Sequence, residues 1–193
     1  MPIDPGSTLP IFQAALASSA IVGLASPLLA MGLANGLFQY MTGAGCTTVT
    51  IDVGTAGSGK GTGVGIVVPE PALFGTLSGT FAGLHILGPM AIPLASGVAS
   101  GISIALAAAL VNTVNVGVGV GAGKVQCIPH STGGVLFATA FLEVGLVGPM
   151  APALATAIGT ALDITIAAAQ GVVVIVGPPS PVPGTGTGVG IVS

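Results

Sequence analysis

The sequence predicts an α+β fold built from three internal repeats, each a helical hairpin followed by two Gly-rich strands, with pseudo-threefold symmetry. Three observations predict it. Ile21-Val22-Gly23, Ile86-Leu87-Gly88 and Leu146-Val147-Gly148 head one recurring pattern, spaced by 65 and then 60 residues. The first and last copies close on the same heptapeptide, at 61–67 and 186–192, and its offset of 125 residues is the one the heading pattern requires. Each copy passes from an apolar, small-residue stretch into a Thr/Val/Ile-rich one. Recurrence at a fixed period marks units that bury their apolar faces against one another. The repeats occupy residues 7–70, 71–130 and 131–193 of a single domain.

The first helix of each repeat is expected at about 12–24, 74–87 and 135–147, and the second at about 28–41, 94–110 and 153–170. Proline separates them: Pro27 in the first copy, Pro89 and Pro93 in the second, Pro149 and Pro152 in the third. Proline suits the first turn of a helix and disrupts its interior, so each copy reads as a helix, a break and a helix. Each second helix carries a small pair at helical spacing: Gly32 and Gly36, Gly97 and Gly101, Ala157 and Ala161. Glycine inside a helix costs about 1 kcal/mol relative to alanine. Its recurrence predicts close helix packing there, either among the second helices around the axis or within each hairpin. Strands are expected at 47–53, 111–118 and 171–176, the first two alternating at period two. The third is apolar throughout, as in a strand covered on both faces.

Charge is nearly absent. The 193 residues include two lysines, no arginine and five acids, where a typical soluble domain is roughly 25% charged. A surface so poor in charge predicts cover by other material, protein subunits or lipid. Uncharged windows run from Gly6 to Ile51 and, apart from His85, from Pro71 to Gly123. The prolines cut them into helices of roughly 14 to 17 residues, about 21 to 25 Å long, short of a hydrocarbon core about 30 Å thick. There is no tryptophan and one tyrosine, so no aromatic belt. Protein cover is therefore the leading expectation, and a membrane-inserting, pore-forming or holin-like protein the alternative. The N-terminus lacks the basic region of a signal peptide.

Chemistry-bearing motifs are few. Two lysines cannot form a nucleic-acid footprint. Gly54 to Thr62 holds Gly57-Ser58-Gly59-Lys60 after a strand and has the look of a phosphate-binding loop. But Gly61 stands where Ser or Thr is needed, and the following residues alternate like a strand where a phosphate-binding helix should begin. No nucleotide and no cofactor are expected. Cys127 and His130 are weak candidate metal ligands that His85 and Cys46 could complete, at a spacing matching no standard zinc pattern. Within an apolar helix, His85 reads more simply as a core histidine. Asp52, Glu143 and Asp163 form no nucleophile–base set, and no catalytic residue is assigned. Glu143 and Asp163, in apolar helices, call for partners, water or a polar seam.

The strand portions, Thr47 to Val53 and Gly61 to Val68 in the first copy, resemble the PAAR-repeat spike-tip proteins of phage tails and type VI secretion systems. The resemblance implies a single chain of pseudo-threefold symmetry capping a trimeric β-helical spike, with Cys127 and His130 as the only counterparts of that family's metal ligands. Together with the composition it gives a functional expectation: a non-enzymatic structural component of a virion or contractile-tail-like assembly, at a spike or baseplate tip. Its partners would be other subunits, with membrane contact as a further possibility. It would be located in the virion or a large secreted particle, or alternatively in a membrane. Lys60→Ala is expected to leave assembly intact, and calorimetry to show no nucleotide binding by the wild type. A micromolar affinity abolished by Lys60→Ala would overturn the dismissal of the loop.

Overall fold

A computed structural model describes residues 4–42, 47–55, 58–67, 70–107, 110–116, 120–126, 130–168, 170–176 and 184–192, with side-chain surroundings for 4–40, 70–107 and 133–168. Within that second set the structure has six helices and no strand. They are α1 (Pro5–Ser18), α2 (Ser26–Thr42), α3 (Glu70–Gly83), α4 (Ala91–Ala107), α5 (His130–Glu143) and α6 (Ala151–Ala168). The α+β class is corrected accordingly: the packed core is all-helical, and every buried side chain among the described residues lies on a helix. The physical reason is where the large apolar residues fall. Phenylalanine and leucine recur at helical spacing in the hairpins, whereas the Gly-rich segments have little side-chain volume with which to make a core.

The rest of the chain is described as backbone pairing. Strands β1 (Thr47–Thr55), β2 (Ser58–Val67), β3 (Leu110–Val116), β4 (Val120–Gln126), β5 (Gln170–Val176) and β6 (Gly184–Val192) pair antiparallel in sequence order, and β6 returns to β1. Thr50 of β1 lies opposite Gly63 of β2 and Gly188 of β6, so the two copies of the heptapeptide flank one strand. Each hairpin of strands leaves the C-terminal end of α2, α4 or α6.

The helices pair as α1 with α2, α3 with α4 and α5 with α6. The hairpins then meet α2 against α3, α4 against α5 and α6 against α1, closing a ring. The first helices contribute aromatic and leucine ridges one turn apart: Phe12 and Leu16, then Leu77 and Phe81, then Phe137 and Phe141, all at most 2% exposed. Burying such a side chain is worth about 1.5–3 kcal/mol. Phe137 and Phe141 meet edge to face at 6.3 Å and 62°. The second helices are buried more broadly; α4 covers Ala95, Val98, Ala99, Ile102, Ala105 and Leu106.

The small pairs explain how the hairpins join. A Cβ on Gly32 would lie 2.8 Å from the ring of Phe81, and one on Gly36 would lie 2.5 Å from Leu77 Cδ2. A Cβ on Gly97 would come within 2.7 Å of Phe141, and one on Gly101 would collide with Phe137. The small faces of α2 and α4 thus receive the ridge of the next hairpin's first helix. The contacts run neither among the second helices nor inside a hairpin, the two arrangements the sequence left open. Ala157 and Ala161, the equivalents of Gly97 and Gly101 by repeat offset, are buried at 1% and 0% exposure on α6, which packs against both α5 and α1. By repeat offset, α1 carries Phe12 and Leu16 where α3 carries Leu77 and Phe81 and α5 carries Phe137 and Phe141.

The first helices begin and end earlier than their expected bounds. Asp4 starts α1: its carboxylate accepts from the Ser7 N–H at 3.0 Å and the Ser7 hydroxyl at 2.8 Å. Those bonds, the side-chain one foremost, hold the Asp4 carboxyl below its ordinary value. Gly97→Leu is expected to destabilise the fold by about 1–3 kcal/mol or prevent it. Ile104→Leu, at a position 44% exposed on the same helix, should be near neutral. Thermal melts of the two variants check this, and equal tolerance would remove the packing assignment.

Candidate functional site at the hairpin tips

The three turns that join the hairpins lie at the end of the ring away from the strands, and they share one geometry. Each first helix stops on a left-handed residue: Ala20 (φ 57°), His85 (φ 59°) and Gly145 (φ 73°). The Ile21 N–H donates to Leu16 O at 2.9 Å, Ile86 to Phe81 O at 2.9 Å and Leu146 to Phe141 O at 2.8 Å. The inner bonds run from Ala20 to Ala17 O at 3.0 Å, His85 to Ala82 O at 3.0 Å and Gly145 to Leu142 O at 3.1 Å. These paired bonds satisfy two carbonyls of the helix's last turn and bring an apolar residue back over it. Gly23, Gly88 and Gly148 (φ 148°, 137° and 151°) then reverse the chain, a conformation an L side chain resists. Their carbonyls accept from Ser26, Ala91 and Ala151 N–H, each at 3.1 Å, opening the second helix.

The side chains left outside are apolar. Leu24 is 100% exposed, Val22 75%, Leu87 72% and Val147 68%, with Met90 and Met150 about half exposed. The segments 19–29, 84–94 and 144–154 contain no Asp, Glu, Lys or Arg. Between the first and second tips opens a cavity of about 470 Å³, lined by Ile21, Leu24, Leu28, Ile86, Leu87 and Leu94 with His85 at its edge. The recurring apolar-apolar-Gly triplets are the sequence signal of this surface, but their apolar residues continue the helical pattern and so read as the ends of the first helices.

The other candidates do not converge on it. His85 is exposed on a turn, which corrects the expectation of a core histidine in a helix. Cys46 and Cys127 lie outside the described residues, and His130 opens α5 without a described side chain. Among the described residues no group of three His, Cys, Asp or Glu could hold a metal. Lys60 stands in β2 opposite Val53 and Val114, and the chain continues as strand to Val67. Glu143 is exposed at the end of α5. Asp163 is half buried at the α5–α6 seam, its carboxylate 3.6 Å from where a Gly133 Cβ would stand. A second feature of that seam also escaped the sequence analysis: a Cβ on Gly159 would lie 2.8 Å from Gly134 N, so the two backbones nearly touch.

Comparison with protein-family models, with curated proteins and with solved structures finds no match. The geometry therefore carries the functional reading. His85→Gly is expected to raise stability by about 0.5–1 kcal/mol, the relief of a left-handed L residue less the chain entropy of glycine. A thermal melt checks this; a fall in Tm would mean that the imidazole itself supports the turn.

Proposed function

We propose that this chain is a non-enzymatic structural subunit of a virion or contractile-tail-like particle, seated at a spike or baseplate tip against a threefold-symmetric neighbour, with no cofactor, metal, nucleotide or nucleic acid. The observation that carries the reading is a chain of 193 residues with seven charges, whose ring of helices leaves large apolar side chains uncovered at one end. A free monomer seldom exposes such a patch unless something docks there. The helix hydroxyls support a covered surface as well. Thr76, Thr80, Thr139, Thr156 and Thr160 each donate to the carbonyl four residues earlier, at 2.7–3.1 Å, so they do not need water.

A second reading, insertion into a membrane, is favoured by the apolar tips themselves. Among the described residues one helix, Ala151–Ala168, is long and apolar enough to cross a bilayer, though 44% of it is buried against the rest of the chain. The assembly reading is tested by purifying the full chain without detergent. It is expected to self-associate or precipitate alone and to stay dispersed only with other particle proteins. A stable monomer at high concentration would sink it.

A further inference from the structure

We infer that β6 is an exchangeable strand: it pairs with β1 and β5 of a second copy of this chain, in the place that copy's own β6 would fill. The inference goes beyond the particle reading and does not depend on it. The first observation is that β1 is bracketed by one sequence written twice. Gly61, Thr62 and Gly63 of β2 lie opposite Asp52, Ile51 and Thr50. Gly186, Thr187 and Gly188 of β6 lie opposite the same three residues. Both edges of β1 therefore meet the same segment in the same register. Strand addition works through main-chain hydrogen bonds to a short extended segment, and this chain carries that segment twice.

The two copies of the segment are tethered differently. β2 follows β1 across residues 56–57, and β4 follows β3 across 117–119, so those hairpins close within the chain. β6 follows β5 only across 177–183, Gly177-Pro178-Pro179-Ser180-Pro181-Val182-Pro183. Proline fixes its own φ and biases the residue before it toward extended backbone. A polyproline-like run rises about 3.1 Å per residue, so a sequence of this length reaches about 22 Å. Return within one chain needs about half of that. Val176 stands opposite Thr187, and Gly184 lies three residues from Thr187 along β6, about 10 Å at the rise of a strand. The composition of the link favours reaching past the chain's own β5 over folding back beside it.

The strand itself is suited to exchange. Glycine occupies every second position of β6, at 184, 186, 188 and 190. Gly-rich strands specify their partner and register weakly and are prone to swapping. Exchange keeps every pair that β6 makes with β1 and β5 and alters only the course of the link.

The test is disulfide trapping in the full chain, dispersed in detergent, with Cys46→Ser and Cys127→Ser removing the native thiols. Ile51 and Thr187 are directly opposite, and opposite residues of an antiparallel pair are close enough for a disulfide. One chain carries Ile51→Cys and a second, tagged chain carries Thr187→Cys. The two are unfolded together, refolded and gently oxidised. The expected product is a covalent dimer of one chain of each kind, absent when either is oxidised alone. The chain carrying both substitutions should likewise shift to the mass of linked dimers. Disulfides confined to single chains, with no mixed dimer, would overturn the exchange. No disulfide in either arrangement would overturn the β1–β6 pairing on which it rests. Val53→Cys with Thr185→Cys, another opposite pair on the same strands, repeats the trap should the first pair disturb the helical circular dichroism. Replacing Pro178, Pro179, Pro181 and Pro183 by serine should move the doubly substituted chain from linked dimers toward single-chain disulfides. An unchanged ratio would overturn the part assigned to the link.

Discussion

The contact on which the structure depends is the seating of one hairpin's first-helix ridge in the glycine face of the hairpin before it. Phe81 lies against Gly32, Leu77 against Gly36, Phe141 against Gly97 and Phe137 against Gly101. Glycine removes the Cβ layer, so two helix backbones come close enough for a ring to fill the space between them. The cost of glycine in a helix is offset by the dispersion contacts this approach allows. Because the small face and the ridge lie on different helices of a hairpin, each unit both offers and receives the contact. That heterologous pattern closes once α6 meets α1.

Ring closure has a consequence for the ends of the helices. At one end the chain leaves into paired strands, and at the other each hairpin must turn within a few residues. The turns meet that demand with left-handed caps and positive-φ glycines, whose bonds engage part of the backbone locally. With the large inward side chains used in the seams, the remaining side chains, Leu24, Leu87 and Val147 among them, are left exposed. The apolar tip surface is thus produced by the same geometry that makes the ring.

The scarcity of charge fits this arrangement. An isolated domain needs ionised side chains to remain dispersed, whereas a ring of helices whose hydroxyls bond their own carbonyls can be covered by protein or lipid without stranding polar groups. Glu143 and Asp163 depart from the pattern only in the third repeat, one exposed beside a tip and the other at a seam where Gly133, Gly134 and Gly159 bring two helices close.

The sequence by itself determined the three helical hairpins and the small positions at which they pack, because helical spacing, proline breaks and the removal of Cβ are local properties repeated at a fixed offset. It misjudged the fold class, since the regular alternation of the Gly-rich segments says nothing about whether enough side-chain volume is present to build a core; the all-helical core settles that through Phe12, Leu77, Phe81, Phe137 and Phe141. It also extended the first helices through Ile21-Val22, Ile86-Leu87 and Leu146-Val147, because apolar residues continue a helical pattern on paper. Only the tertiary structure decided that the chain turns there, since the left-handed residues include Ala20 and His85, neither a residue that announces a turn. The partner of each glycine face was likewise a tertiary decision: a missing Cβ shows that something approaches closely, and only the closing of the ring selects the next hairpin's phenylalanine or leucine as what approaches.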